Sequence, residues 1–366
     1  MNQKRLRKLT EATLAHGLDG IALVPGPNML YLSGIQAHLS ERPIVLFLPA
    51  DDEAAILVPV LEADKARDAG IDQRRIFAWS DADGYTAAFQ QACAHLELSD
   101  YLLGIEALRM RVLELELLQR YAPGLQTAHA EPILNSLRLR KDKEELAAMA
   151  RAVAVAETAI EKVLPQLRAG LTEKEVAALV TRELLAVGAE EVAFPTIASA
   201  GPNAASPHGA PTNRPLQEGD LLVIDWGAVV DGYVSDITRT FAVGHLDEEL
   251  RLVYDVVKTA NEAGKEAAQP GASGADIDRA ARSVIENAGY GDYFIHRTGH
   301  GLGLEAHENP SLVAGNDDPL PVGAVFTVEP GIYLPGRGGV RIEDDVVLTS
   351  QGPRSLTTFP RMLRTI

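Results

Sequence analysis

Two aspartates interrupt an apolar hairpin pattern, and they are the first residues whose types and spacing could do chemistry. The stretch LLVIDWGAVVDGYVSDITRTFAV, residues 221–243, holds Asp225 and Asp236 within otherwise apolar, β-branched segments. A carboxylate among Leu, Val, Ile and Trp side chains is costly unless something pairs with it. The pattern therefore indicates a cationic partner for both acids.

The Asp-Gly pair at 231–232 predicts a two-residue hairpin turn. Counting back from that turn sets Asp225 opposite Thr238 and Asp236 opposite Gly227. Because side chains alternate along a strand, the two aspartates share a face and are diagonal neighbours, roughly 7 to 8 Å apart at Cα. Two bare carboxylates that close this gap would raise each other's pKa, so we predict a shared cation.

A second acid-bearing hairpin follows later in the chain. The stretch VFTVEPGIYLPGRGGVRIEDDVVL carries Glu329 on one strand and Glu343 on the next, and Arg341 shares the face of Glu343. Between the hairpins, FIHRTGHGLGLEAHENP contains three histidines within 12 residues: His296, His300 and His307. Four carboxylates and one imidazole would coordinate two divalent ions, which is the ligand set of a hydrolytic site that activates one water.

Each residue has a simpler interpretation when it is taken alone. Asp225 or Asp236 could be a turn or capping residue, and Glu343, next to two further acids, could be a solvated strand end. Arg341 could form a surface ion pair, and His208, in SAGPNAASPHGAPTNRP, could lie in an exposed loop. The joint occurrence of these residues in a repeated arrangement favours the metal site.

The elements that must position these side chains occur twice. GLTEKEVAALVTRELLAVG opens with the Thr-x-x-Glu spacing of a capping box, and both this segment and GASGADIDRAARSVIENAG reach a final glycine after 18 positions. Farther along, GDLLVIDWG matches GAVFTVEPG, which sets Glu329 in the place of Asp225. We therefore expect two α+β halves related by a pseudo-twofold axis, with the four acids near the line where their sheets meet.

The first part of the chain has a different pattern. From Gly20 to about His129, apolar runs such as GIALV, PIVLFLP and AAILVP alternate with helical patterns, which is typical of an α/β domain. The charged segment EPILNSLRLRKDKEEL then continues as a long helix with an Ala-rich face. We predict an N-terminal α/β domain at residues 1–130 and an α+β domain at residues 131–366.

Composition restricts the classes of partner and compartment. The 51 acidic and 34 basic residues give a net charge of −17, which disfavours binding to nucleic acid or to anionic membranes. Cys93 is the only cysteine, so the chain forms no internal disulfide. No apolar stretch approaches the roughly 20 residues that span a bilayer, and the basic start lacks the apolar segment of a secretory signal. We expect a cytoplasmic protein.

The motifs VIDWGAVVDGYVSDITRT, HRTGHGLGLEAHE, TVEPGIY and GGVRIEDDVVLT resemble those of the pita-bread metallopeptidases, and most closely the prolidase and aminopeptidase P branch. The resemblance implies a pita-bread catalytic domain and, through NMLYLSG and LVPVLEADKA, a creatinase-like N-terminal domain. It also implies that Asp225 binds one metal ion, that Asp236 and Glu343 bridge both ions, and that His300 and Glu329 hold the other. The family's histidines that orient the substrate and stabilise the tetrahedral intermediate correspond to His208, His296 and His307.

The implied activity is hydrolysis of the peptide bond before proline. An Xaa-Pro dipeptidase is the leading interpretation, and the alternatives are an Xaa-Pro aminopeptidase that acts on longer peptides with proline second and an inactive pita-bread binding protein. The mainly oxygen ligand set favours two Mn²⁺ ions, with Co²⁺ or Zn²⁺ as substitutes in vitro. Glu329 would carry a proton to the leaving nitrogen, and Arg341 would make a bidentate contact with the carboxylate of a dipeptide. The resemblance also implies a homodimer.

Overall fold

The computed structural model describes all 366 residues, which form two compact units, Met1–Arg138 and Leu139–Ile366. The sequence-based boundary, after residue 130, precedes a helix at Glu131–Leu139 that ends at the division between the units. We refer to the two parts as the N-terminal unit and the C-terminal unit. Six short 3₁₀ turns connect the regular elements: Val60–Glu62, Gln73–Arg75, Leu98–Asp100, Leu164–Gln166, Gly201–Ala205 and Gly291–Tyr293.

The N-terminal unit is a six-stranded mixed sheet with helices. Its strands are β1 (Gly20–Leu23), β2 (Val45–Pro49), β3 (Ala55–Pro59), β4 (Ile76–Trp79), β5 (Leu102–Ile105) and β6 (Gln126–His129). Its helices are α1 (Gln3–Ala15), α2 (Pro27–Ser33), α3 (Ala63–Asp68), α4 (Thr86–His95), α5 (Val112–Tyr121) and α6 (Glu131–Leu139). The order across the sheet is β4-β3-β2-β1-β5-β6. Strands β1 to β3 are buried along their whole length, which explains their continuous apolar sequences.

The C-terminal unit combines four helices with four small sheets. Its helices are α7 (Lys143–Val163), α8 (Glu173–Ala186), α9 (Glu248–Ala267) and α10 (Gly274–Asn287). Its strands are β7 (Glu191–Val192), β8 (Ile197–Ala200), β9 (Leu221–Trp226), β10 (Ala228–Val230), β11 (Tyr233–Val234), β12 (Ile237–Ala242), β13 (Gly299–Gly301), β14 (Glu308–Leu312), β15 (Val325–Val328), β16 (Gly331–Leu334), β17 (Gly338–Arg341), β18 (Asp344–Thr349) and β19 (Gly352–Ser355). The sheets have the orders β12-β9-β8, β11-β10-β7, β14-β13-β15-β18-β19 and β16-β17. The structure contains no helix with the length and apolar character needed to cross a membrane.

The internal repeat is confirmed element by element. Helices α8 and α10 both begin with a reciprocal capping box, Thr172 with Glu175 and Ser273 with Asp276. Each helix is followed by a hairpin that is split into two paired segments: β9–β12 and β10–β11 in the first copy, β15–β18 and β16–β17 in the second. The two copies therefore present their acids from equivalent places.

The predicted register of the first hairpin is also confirmed. Asp231 and Gly232 have φ angles of 51° and 75°, as a two-residue turn of this kind requires, and Thr238 lies opposite Asp225. Asp236, Glu329 and Glu343 lie where the paired segments of each hairpin meet, and a single bridge between Thr238 and Glu343 connects the two hairpins. The interruptions in strand pairing allow the carboxylates of both copies to converge.

The predicted long helix with an Ala-rich face is confirmed as α7, but it begins only after Asp142 and is separate from α6. The side chain of this residue accepts hydrogen bonds from the amides of Glu144 and Glu145, and Glu145 returns one to the amide of Asp142. This capping box starts α7 as a separate helix after α6. Small buried side chains then let α7 pack closely on the sheets, and the indole of Trp226, next to Asp225, donates to the carbonyl of Ala156 at 2.9 Å.

Candidate metal centre

The nine residues singled out in the sequence line one cavity of the C-terminal unit. The cavity has a volume of about 500 Å³ and also has an apolar part formed by Phe194, Pro195 and Ile197. These nine residues are Asp225, Asp236, Glu329, Glu343, His208, His296, His300, His307 and Arg341, and Arg297 also lines the cavity. A larger groove of about 710 Å³ lies in the N-terminal unit, but its acids Asp52 and Asp72 are paired with arginines.

The centre of the cavity is a cluster of buried acids around His300. Ligand atoms of Asp236, His300 and Glu343 all lie within 4.8 Å of one another. The Nε2 atom of His300 is 3.7 Å from Asp236 Oδ2 and 3.2 Å from Glu329 Oε1. The structure thus brings together acids from both hairpins at a spacing suited to a shared cation.

Two glycines and two hydrogen bonds hold His300 in this orientation. A Cβ atom on Gly299 or Gly301 would come within 2.0 Å of a backbone carbonyl oxygen, so both positions require glycine for close strand approach. Thr327 Oγ1 receives the backbone N–H of His300 at 3.1 Å, and Nδ1 of His300 lies 3.1 Å from the carbonyl oxygen of Gly301. Because a carbonyl oxygen can only accept, Nδ1 carries a proton, and Nε2 is left as the ring atom that faces the acids and could bind a metal ion.

Most of the buried acids have no positively charged neighbour that would compensate their own charge. Burial and the neighbouring carboxylates of Glu343 and Asp225 raise the pKa of Asp236 well above its usual value, and burial with like charges raises that of Glu343 in the same direction. Burial also raises the pKa of Asp225, although Arg341 opposes the effect. Buried oxygens of Asp225 and Glu343 have no hydrogen-bond partner, which is a costly arrangement for a protein that binds nothing there.

Glu329 differs from the other acids because it faces an imidazole. Burial would raise its pKa, but the hydrogen bond and charge of His300 outweigh burial and lower the pKa to about 2. The hydroxyl of Thr327 also donates to Glu329 Oε1 at 3.3 Å. Glu329 is therefore the acid of the cluster that stays ionised most readily.

Arg341 is buried and supplies hydrogen bonds mainly within the protein. Its guanidinium donates to Thr238 Oγ1, the carbonyl of Pro207, the hydroxyl of Tyr333 and Asp225 Oδ2, the last at 2.7 Å. These four bonds leave one of its five N–H groups, on Nη2, for a further acceptor. The surface ion pair is thus excluded, and a bidentate contact with a ligand would require one internal bond to be given up.

The three remaining histidines have different degrees of restraint. His296 is fixed by a 2.7 Å contact from Nδ1 to the carbonyl of Arg297 and by a 2.8 Å contact from Nε2 to the Tyr333 hydroxyl, and burial lowers its pKa. His307 packs its ring against His300 at a centroid distance of 4.2 Å, and burial lowers its pKa to about 4. The partly exposed ring of His307 and the exposed ring of His208 have no hydrogen-bond partner in the chain, so both can donate to a bound molecule.

The donor set fits divalent metal ions. The cluster offers four carboxylates and one imidazole, and two of its buried carboxylate oxygens have no hydrogen-bond partner. Hard divalent cations such as Mn²⁺ prefer these ligand types. A cation at this position would neutralise the mutual repulsion of Asp236 and Glu343. The residues that hold the centre together without binding a cation were not found from the sequence; among them are Thr238, Thr327 and Tyr333.

Comparison with known families decides the identity of this arrangement. The profile of metallopeptidase family M24 matches residues 147–350, and that of the creatinase/prolidase N-terminal domain matches residues 5–140. The chain belongs to metallopeptidase family M24. As a member of this family, it is an enzyme whose site requires divalent metal.

Individual relatives of this metallopeptidase cover its whole length. It is 39% identical to the putative dipeptidase YkvY of Bacillus subtilis over 92% of both chains, and 35% identical to an Xaa-Pro dipeptidase of Pyrococcus furiosus over 99% of both chains. It matches the crystal structure of a prolidase from Thermococcus sibiricus with a TM-score of 0.95 at 34% identity over all of both chains. These matches confirm the predicted pairing of a creatinase-like N-terminal domain with a pita-bread catalytic domain.

Proposed function

We propose that this metallopeptidase is an Xaa-Pro dipeptidase, which hydrolyses the peptide bond before a C-terminal proline with two bound divalent ions. The observation that carries the proposal is one cavity of about 500 Å³ that combines an acid cluster in need of cations with an apolar wall and an arginine. The dipeptidase and Xaa-Pro dipeptidase names of the relatives agree with this substrate class.

The proline ring explains the need for an apolar wall. A bond to proline is a tertiary amide without an N–H, so an enzyme cannot recognise it through the usual backbone hydrogen bond and must recognise the ring instead. We assign the ring to the surface formed by Phe194, Pro195 and Ile197. The free carboxylate of the dipeptide would accept the remaining N–H of Arg341.

The proposed roles of the acids follow the ligand pattern of the family. Asp225 would bind one ion, Asp236 and Glu343 would bind both, and His300 and Glu329 would bind the other. Divalent ions at this position supply a Lewis acid for the scissile carbonyl and lower the pKa of water.

The remaining groups would move a proton and hold the substrate. Glu329, whose pKa is lowered, would take the proton of the attacking water at Oε1 and deliver it to the proline nitrogen as the peptide C–N bond breaks. His208 and His307 would donate hydrogen bonds to the scissile carbonyl and to the substrate backbone, and His296 would orient this region through Tyr333.

We further propose Mn²⁺ as the bound ion, because carboxylate oxygens dominate the ligand set. Family resemblance supports a homodimer, and the single, buried Cys93 is in keeping with a reducing compartment such as the cytoplasm.

The test is hydrolysis of three peptides by protein that has been stripped with a chelator and reloaded with Mn²⁺. We expect release of alanine from Ala-Pro, little from Ala-Ala, and none from Ala-Pro-Ala-Ala, with products separated by mass. Release from the tetrapeptide would assign an Xaa-Pro aminopeptidase instead. No hydrolysis of any peptide by protein that holds two ions would overturn the enzyme proposal in favour of a binding protein.

A further inference from the structure

The loop that carries His208 has little regular structure of its own. It extends from Gly201 to Thr212, and only a 3₁₀ turn at its start is regular. The ring of His208 is exposed and has no hydrogen-bond partner in the chain, although it lines the cavity. The backbone of the loop must therefore determine where this imidazole lies.

One buried carboxylate connects the beginning, middle and end of this loop. Glu173, the first residue of α8, has 0% of its surface exposed. Its Oε1 atom accepts from the amide of Ala200 at 2.7 Å and from Asn203 Nδ2 at 3.1 Å. Its Oε2 atom accepts from Asn203 Nδ2 at 3.1 Å and from the amide and hydroxyl of Thr212 at 2.9 and 2.6 Å.

Two further hydrogen bonds fix the residues on either side of His208. The carbonyl of Pro207 accepts from Arg341 Nη1 at 3.0 Å, and that of Gly209 accepts from the Ser199 hydroxyl at 3.0 Å. Both bonds depend on the loop staying folded back against β8 and the acid cluster. Glu173 provides that constraint, because it ties the end of the loop at Thr212 to its beginning next to Ala200.

The chemistry of the contacts explains why a glutamate lies here. All five bonds come from N–H and O–H donors, which match a carboxylate that only accepts. A glutamine of the same shape would direct its NH₂ group at these donors. No cation forms an ion pair with Glu173, so the loop itself satisfies the buried acid.

We infer that Glu173 is a positioning residue of the active site, which holds the 201–212 loop so that His208 reaches the substrate. The inference rests on the role proposed above for His208. Glu173 therefore affects catalysis by positioning His208, and its loss should leave the binding of the metal ions unchanged.

The test is a double-mutant cycle with Glu173→Gln and His208→Ala in the Mn²⁺-loaded enzyme, with Ala-Pro as substrate. We expect E173Q to lower kcat/KM about 10- to 100-fold, as small displacements of active-site groups do, with two ions still bound. The E173Q/H208A enzyme should be no less active than H208A alone, because both changes remove the same contribution. Glu175→Gln is the matched control: Glu175 lies in the same first turn of α8, but its hydrogen bonds go only to Thr172, so its activity should stay normal.

Three results would overturn the inference. The first is a loss of kcat/KM in E173Q/H208A that equals the two single losses combined. The second is a loss in E175Q as large as that in E173Q, and the third is wild-type activity of H208A. The last result would leave the proposed function intact if the wild-type enzyme cleaves Ala-Pro, so the two failures are distinguishable. If E173Q does not fold, Asn203→Ala removes two of the five bonds from the loop side and should show the same lack of additivity with H208A.

Discussion

Glu343 and Asp344 are adjacent in the chain and equally buried, each with 1% of its surface exposed, but they lie in opposite electrostatic environments. Burial and nearby acids raise the pKa of Glu343, whose Oε1 atom has no partner. Burial would also raise the pKa of Asp344, but Arg239 and Lys265, at 2.7 and 2.9 Å, outweigh it and lower the pKa.

The difference shows that burial alone does not identify a metal site. On the Asp344 side, the protein supplies its own cations, and Arg239 also donates to four backbone carbonyls, those of Thr238, Glu343, Phe359 and Pro360. On the Glu343 side, Arg341 is paired with Asp225, and Arg297 donates to the hydroxyl of Ser311 rather than to an acid of the cluster. The first side is a completed ion network, whereas the second needs divalent ions for charge balance, so ion binding should stabilise the fold.

The strongest test of this comparison is Glu343→Gln, which removes the charge of one proposed ligand without changing the shape of the side chain. We expect kcat/KM for Ala-Pro to fall on the order of 10³-fold, because a metal ion contributes several kcal/mol to catalysis and each 1.4 kcal/mol is tenfold. Metal content, measured by mass spectrometry of the ions, should fall below two per chain.

The same substitution should increase the stability of the metal-free protein, although it lowers activity. Without metal, E343Q should unfold at a higher urea concentration than the metal-free wild type, because one repulsive buried charge is gone. A metal-free E343Q that is less stable than the wild type would mean that Glu343 is a structural acid like Asp344.

Asp344→Asn should have the reverse pattern. Removing one partner of a buried ion network leaves Arg239 and Lys265 uncompensated, which destabilises by about 3 to 5 kcal/mol. Two ions should still bind, because the Glu343 side is unchanged. Urea unfolding of the Mn²⁺-saturated proteins and their metal content check both points, and a loss of ions comparable to that in E343Q would contradict the separation of the two sides.

The acids on the Glu343 side were predictable because they violate a local rule. A carboxylate inside an apolar strand conflicts with burial, and the Asp-Gly turn determines the strand register, so Asp225 could be set opposite Thr238 from the sequence alone. The histidines were identified through family motifs rather than through geometry, and the structure brings them to the same cavity.

The supporting contacts could not be predicted, because they join residues far apart in the chain. Thr238 and Glu343 are 105 positions apart, and Glu173 and Thr212 are 39 apart. Thr and Glu are common residues with no local pattern that marks such a role, although the strand register could have drawn attention to Thr238. The alternative of a solvated strand end for Glu343 is wrong, because the first hairpin, more than 100 positions earlier in the chain, covers this residue and leaves it 1% exposed.

The pH dependence of stability should also separate the two sides. Asp236 and Glu343 have usual pKa values of 3.8 and 4.5 that are raised in the folded, metal-free protein. Their contribution to stability is fully present below the usual values and is lost as pH rises through the raised ones. The lowered pKa of Asp344 acts in the opposite sense: its contribution is present above the usual value of 3.8 and is lost as pH falls through the lowered one.

We therefore expect the melting temperature of the chelator-treated protein to fall as pH rises above about 5, because the acids are then charged in the unfolded chain but resist ionisation in the folded cluster. The Mn²⁺-loaded protein should lack this decline between about pH 6 and 8, because the ions balance the charge. E343Q should reduce the slope, whereas D344N should leave it unchanged. A metal-free protein that becomes more stable over this range would show that the acids are already compensated within the chain.

Thr238 should give the smallest effect, because it connects the acids without supplying charge. Its hydroxyl donates to Glu343 Oε2 at 2.6 Å and accepts from Arg341 Nε at 3.1 Å. Thr238→Val keeps the shape but removes both bonds, and a hydrogen bond to a charged group is worth about 1.5 to 3 kcal/mol, so the metal Kd should rise about 10- to 100-fold. Thr238→Ser keeps the hydroxyl and should bind metal nearly as tightly as the wild type in isothermal titration. If T238V binds metal as tightly as the wild type, the hydroxyl does not hold Glu343, and packing alone would keep this side chain in place.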